Sequence, residues 1–233
     1  MHSLQQTTEA HAMRNSALIL ILALVALLPA LSIAQDFRDM KIVHVLQEPR
    51  HRTVHHEGDV YLLDVQINPG DTSFPHLHDS AMMFTFISSG QGPAYGRVSG
   101  ESGYVERNFT HAVSNAGPNL LRILAMSNYG PGLPNLSSGR PRGINAEPSY
   151  ENEWFRSYRI TLQPGEETDS QTHVNPTVVI QVTQGKVHVS RADGITQELA
   201  AMGDWMWRDP ESVFTLKNMG TTEVVVVVNE ARL

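Results

Sequence analysis

The sequence predicts an all-β chain made of two copies of one small barrel, and three observations predict it. Residues 69–90 (PGDTSFPHLHDSAMMFTFISSG) align without a gap with residues 164–185 (PGEETDSQTHVNPTVVIQVTQG) at an offset of 95, and residues 100–115 align with 203–218 at an offset of 103. A repeat of this kind dictates architecture before any motif is read. Apolar residues around both blocks alternate with period two: Leu63, Val65 and Ile67 match Tyr158, Ile160 and Leu162, while Leu121, Ile123 and Ala125 match Val224, Val226 and Val228. That is the pattern of half-buried strands. Pro-Gly and Gly turns separate these runs, and a helical 3.6-residue period is almost missing after residue 34, which suits a β-sandwich or barrel.

The first element is the apolar run of residues 16–34 (SALILILALVALLPALSIA), which follows Arg14 and ends in Ser32-Ile33-Ala34. Small residues at the two positions read by a signal peptidase make it a secretory signal cleaved after Ala34, with a lone membrane anchor as the alternative; Pro29 favours cleavage. A chain start at Met13 gives a better-formed signal than one at Met1. Residues 35–129 then form the first barrel and 151–233 the second. Residues 130–150 (GPGLPNLSSGRPRGINAEPSY), dense in Pro, Gly and Ser, read as a linker or as a lid over a barrel mouth.

Composition removes several functional classes. The 233 residues contain no Cys, so a disulfide scaffold, a thiolate metal site and a Cys nucleophile are excluded. With 17 basic against 24 acidic side chains, a net charge of −7 and no basic run, nucleic acid is not an expected partner. A small molecule is the expected partner, with no stable membrane insertion once the signal is removed and the oligomeric state open. No phosphate-cradling Gly-rich loop, nucleophile elbow or Ser-His-Asp ordering is present.

The repeated blocks carry the residues that point further. Gly70, His76-Leu77-His78 and Gly90, followed by His111 and Asn115, resemble the two motifs of the cupin superfamily: Gly, five residues, His-x-His, three or four residues, Glu, six residues, Gly, and later His, three residues, Asn. Together with the duplication this resembles a bicupin, which implies two jelly-roll (double-stranded β-helix) barrels over nearly the whole mature chain. Cupins include dioxygenases, isomerases, decarboxylases, storage proteins and sugar binders, so the resemblance speaks for fold more than for reaction.

His76 and His78, two apart on a strand, project from one face, and the resemblance implies that His111 joins them as a third metal ligand. Imidazole nitrogen suits Fe, Zn, Cu and Ni and leaves positions for water or substrate. The expected cofactor is therefore one divalent transition metal, Fe(II) or Zn(II) before Cu or Ni. Four residues after His78 the motif's Glu is read as Met83, which removes the anionic ligand a hard ion such as Mn(II) prefers. Some cupins, the thiol dioxygenases and a β-diketone dioxygenase, resemble this arrangement in holding Fe(II) with three His and no Glu. Met83, Thr85, Arg97 and Tyr104 are the expected pocket residues, Arg97 as a partner for a carboxylate or enolate.

In the second half Gln171, His173, Val178 and Phe214 replace His76, His78, Met83 and His111, leaving one His where the first half has three. This barrel is expected to be structural, filled by Val178, Ile180 and Val182 with Val224, Val226 and Val228. Trp205 and Trp207 read as core or inter-barrel contacts, Asp79 as a turn residue, and His51, His55 and His56 as a solvated stretch, with reach to the mouth of the site as the alternative. Asn108 and Asn135 open glycosylation sequons. Two functions remain open: a dioxygenase-like metalloenzyme acting on a small chelating molecule, and a non-catalytic cupin that binds a small ligand or a metal.

Overall fold

Strands form where apolar residues alternate, and Gly or Pro closes each run. The computed structural model describes residue 37 and residues 39–233; the expected signal segment and its cleavage point lie outside the described residues. The first half contributes β1 (Val43–His44), β2 (His51–Glu57), β3 (Val60–Ile67), β4 (His76–His78), β5 (Ala81–Ser89), β6 (Pro93–Glu101), β7 (Phe109–His111) and β8 (Leu121–Asn128). The second contributes β9 (Tyr150–Glu151), β10 (Phe155–Leu162), β11 (Gln171–Thr172), β12 (Thr177–Gln181), β13 (Val187–Arg191), β14 (Thr196–Leu199), β15 (Trp205–Arg208), β16 (Val213–Asn218) and β17 (Val224–Ala231). Short 3-10 turns at Val45–Gln47 and Gly103–Val105 are the helical elements among the described residues.

Each half is a pair of sheets, and no sheet mixes strands of the two halves. In the first, β2-β3-β8-β5-β6 faces β1-β4-β7; in the second, β15-β12-β17-β10-β9 faces β11-β16-β13-β14. The repeat is visible in the registers: His76 pairs with His111 as Gln171 pairs with Phe214, and Tyr61 pairs with Ser127 as Arg156 pairs with Glu230. It also reaches individual hydrogen bonds. Asn115 Nδ2 donates to the Ile67 and Asn119 carbonyls and its Oδ1 accepts from the Gly117 amide; Asn218 does the same with Leu162, Thr222 and Gly220. Gly90, at φ +83°, completes the first of these turns, because a Cβ there would stand 2.2 Å from Asn115 Oδ1.

Three apolar clusters follow from the alternation. Leu63, Val65, Ile67 and Ala125 point into the first half, with Leu121 and Ile123 packed against them, while Tyr158, Leu162, Val224, Val226 and Val228 fill the second. The third cluster lies between the two five-stranded sheets and joins Val60, Leu62, Met83, Ile87, Leu124 and Met126 to Phe155, Val178, Ile180, Val182, Val225 and Val227. Val178, Ile180 and Val182 therefore face the other half, not the interior of their own barrel as expected; Val179 takes the interior position. Trp207 packs in the same layer and donates its indole N–H to Glu57 across the halves at 2.7 Å. Residues 37–233 make one compact unit on this shared core.

Residues 130–150 are held against the second half. The buried Arg156 donates to the carbonyls of Leu136, Ser138 and Gly139, and Arg142 bridges to Thr172. No residue of this segment lines the cavity of the first half.

Candidate metal centre

The imidazoles come from the three-stranded sheet. His76 and His78 lie on the same face of β4, the alternation of a strand requiring it, and the antiparallel pairing of β4 with β7 sets His111 opposite His76. One nitrogen from each ring lies within 4.8 Å of the others. The Phe74 carbonyl accepts from His76 Nδ1 at 2.8 Å, which puts that ring's proton on Nδ1 and leaves Nε2 as a lone pair. His76 Nε2 is buried with no hydrogen-bond partner, and so is His78 Nδ1. His78 Nε2 and His111 Nε2 stand 3.1 Å apart. Adjacent nitrogens on one ion with bonds of about 2.1 Å are separated by about 3 Å, so the spacing, the orphaned nitrogen and the donor type fit a transition metal.

Burial favours the neutral form of all three rings. Burial, helped by the neighbouring imidazoles, pushes His78 down to about 2 and His111 to about 4, and burial lowers His76 as well. Neutral imidazole is the form that ligates.

A fourth imidazole joins them. His51, expected in a solvated stretch, is 4 % exposed, sits edge-on to His76 with ring centroids 4.3 Å apart, and is pushed by burial to about 3. Behind it the buried Glu48 lies 3.8 Å from His51 Nδ1 and accepts from the Phe74 amide, which ties β2 to the start of β4. The run Arg50-His51-Arg52 carries no alternation that would have announced this. The His-rich composition of 51–56 was the one signal for it, and it did not single out His51.

The four rings open on a cavity of about 430 Å³. Its opposite wall is the five-stranded sheet: Leu63 and Val65 of β3, Phe84 and Phe86 of β5, Ile123 and Ala125 of β8. Of the expected pocket residues, Tyr104 lines it, its ring 5.1 Å from that of His78 and stacked on Phe109. Met83 and Thr85 do not. Met83 packs in the layer between the halves, and Thr85 Oγ1 accepts from Asn229 Nδ2 there at 2.8 Å. The face is set by β5 itself: Met82, Phe84 and Phe86 point to the cavity, so the residues between them point away. Arg97 lies outside the lining, exposed, with its guanidinium 4.7 Å over the Phe86 ring. Asp79 faces the other side of β4, where its carboxylate accepts from Tyr129 and pairs with His44, each at 3.0 Å.

The corresponding place in the second half is closed. His173 Nδ1 is 2.6 Å from Glu230, whose second oxygen accepts from Arg156 at 3.1 Å, and Phe214 stacks on the imidazole. All four residues are buried.

No protein-family model matches the chain, and no curated protein matches it. Solved structures do. AerE from Microcystis aeruginosa superposes with a TM-score of 0.56 at 12% identity, over 76% of this chain and 89% of its own. Salicylate 1,2-dioxygenase from Pseudaminobacter salicylatoxidans gives 0.53 at 12% identity, over 74% and 71%. A variant of that dioxygenase, solved in complex with gentisate, gives 0.51 at 13% identity, over 74% and 69%. The fold is that of the cupins. At this identity the likeness speaks for fold alone. Among the described residues no helix is long and apolar enough to cross a membrane.

Proposed function

We propose that the chain is an exported mononuclear metalloprotein whose first half holds one divalent transition metal through His76, His78 and His111, and that it acts as a dioxygenase-like enzyme on a small organic molecule. The observation that carries this reading is the convergence of three imidazoles, with His76 Nε2 orphaned, at the end of an apolar cavity. With three residues after His78 instead of four, the position of the cupin Glu falls on Met82, which lines that cavity. The ligand set is then all-neutral, which favours Fe(II) or Zn(II) over a harder ion. A bound ion supplies Lewis acidity and, if it is iron, electrons for dioxygen chemistry. The chain's own residues bind and orient: Phe74 fixes the His76 tautomer, and Tyr104 with the apolar wall holds substrate away from water. The second half is structural, its one imidazole at a motif position, His173, already paired with Glu230. Export rests on the signal-like residues 16–34, and amino-terminal sequencing of the secreted protein tests it.

Elemental analysis of protein purified without chelator should find close to one equivalent of metal. His78→Ala and His111→Ala should each abolish retention, and His173→Ala should not; equal loss from His173→Ala overturns the assignment. Oxygen uptake against diketones, thiols, catechols and hydroxy acids then decides between classes. Metal with substrate-dependent uptake supports the enzyme. Zinc without uptake, with a small molecule retained in native mass spectrometry, replaces it by the binding protein.

A further inference from the structure

The cavity has two chemically different ends. The three-stranded sheet supplies the imidazoles, and the facing sheet supplies Leu63, Val65, Phe84, Phe86, Ile123 and Ala125. Among the described residues that line it there is no Lys or Arg, and Glu101 is the one carboxylate. Arg97, the cross-strand partner of Phe86, stays outside the lining: it is exposed at the rim, its guanidinium 4.7 Å over the Phe86 ring. An anionic group carried past the imidazoles would lose its hydration without meeting a cation, and it would share the cavity with the Glu101 charge. An apolar group there meets aliphatic and aromatic carbon. The volume, about 430 Å³, lies within the ~300–1,000 Å³ typical of small-molecule sites.

Resting on the metal-site reading above, we propose that this site selects a molecule that chelates through one end and is uncharged and apolar at the other, and that it rejects ligands bearing a carboxylate on the distal end. Gentisate, bound by the salicylate dioxygenase variant, carries its carboxylate ortho to a hydroxyl, within a chelating end, and so probes the metal end of the cavity and not the distal wall. The selection comes from what the wall lacks as much as from what it offers: specificity follows from leaving a wrong group unpaired.

The test uses two catechols with the same chelating end, 4-tert-butylcatechol and 3,4-dihydroxybenzoate, titrated calorimetrically into metal-loaded and metal-free protein, with gentisate as a third probe. Metal-loaded protein should bind 4-tert-butylcatechol at least about tenfold more tightly than 3,4-dihydroxybenzoate, the ratio that even a modest desolvation penalty implies. Ile123→Lys, at a half-buried wall position, should shrink or invert that ratio. Glu101→Gln, an exposed change that spares the fold, should narrow it several-fold. Equal affinities for the two catechols in metal-loaded parent protein overturn this proposal and leave the metal site standing. Protein that retains no metal overturns the metal reading instead, and a persisting preference for the apolar probe in that protein still supports the cavity's selectivity.

Discussion

A carboxylate introduced at residue 82 and one introduced at residue 83 should have opposite consequences, because the two side chains point to different sides of β5. Met83 is completely buried between the halves, in one apolar cluster with Val178, Ile180 and Trp207. In Met83→Glu, loss of thioether burial costs about 1–2 kcal/mol and an unpartnered carboxyl about 1–3 kcal/mol. Holding that carboxyl neutral at pH 7 against an ordinary value of about 4.3 adds about 3.7 kcal/mol. A total of about 6–9 kcal/mol is a large part of a typical domain's stability, and at about 2–4 °C per kcal/mol for this size it lowers Tm by at least about 10 °C. Met82 is equally buried but lines the cavity with the imidazoles. Met82→Glu should therefore be costly without metal and recover to within about 3 °C of the parent when Zn(II) or Fe(II) is added, with metal bound at least about tenfold more tightly, as an added anionic ligand predicts. Thermal melts with and without metal, and a competitive chelator titration, provide both readouts. Melting of Met83→Glu within about 3 °C of the parent, or identical behaviour of the two variants, refutes the assignment of faces.

Acid should destabilise the metal-free chain. His51 and His78 are held by burial to about 3 and about 2 in the fold, below the usual value of about 6.5, so the unfolded chain binds more protons as pH falls below that value. Their stabilising contribution is present above about pH 6.5 and is lost as pH drops towards those folded values; for His78 alone the loss by pH 5 is about 2 kcal/mol. A metal-free Tm that is unchanged or higher at pH 5 than at pH 7 contradicts this. The two halves should unfold in one calorimetric transition, because Met83 and Val178 share one core and Asn229 donates to Thr85 across it; two separated peaks would show that the shared core contributes little.

The alternation that revealed β3 and β8 in the sequence failed on β5 for a physical reason. Leu63, Val65 and Ile67 alternate with residues of a different environment, so one face of β3 is marked as interior. In β5 the run Ala81-Met82-Met83 is buried throughout, and Ile87 is buried on the face opposite Phe86. A sheet covered on both sides reads as a continuous apolar run, and a slip of one residue then exchanges its faces. The cupin motif's tolerance of three or four residues before its Glu allows that same slip, but its six residues before the Gly fit Met83; from Met82 there are seven, the extra one falling at the register shift between Phe86 and Ser88. The offset of 95 carried the error to Val178, Ile180 and Val182. His76, His78 and His111 were legible because two lie at strand spacing and the third falls within a repeated block. His51 was not, since its burial depends on β2 being pulled against β4 by Glu48 and Phe74, a contact between segments that no local pattern encodes.

The same grid of strands holds an open cavity in one half and a closed core in the other, and the repeat shows which substitutions separate them. His78 and His173 occupy equivalent positions. Beside His173 the paired strands carry Arg156 and Glu230; at the equivalent pair the first half has Tyr61 and Ser127. Glu230 takes the His173 Nδ1, whereas the Ser127 hydroxyl is engaged with that of Ser80 at 2.6 Å, and His78 Nδ1 is left without a partner. The third ligand changes too: His111 becomes Phe214, whose ring lies flat against His173 and replaces a lone pair with a phenyl face. A buried imidazole needs either a protein partner or an ion. The second half supplies the partner through a buried Arg-Glu-His chain, in which Glu230 answers both the guanidinium and the imidazole. The first half withholds it, and its imidazoles are left to something that enters from outside.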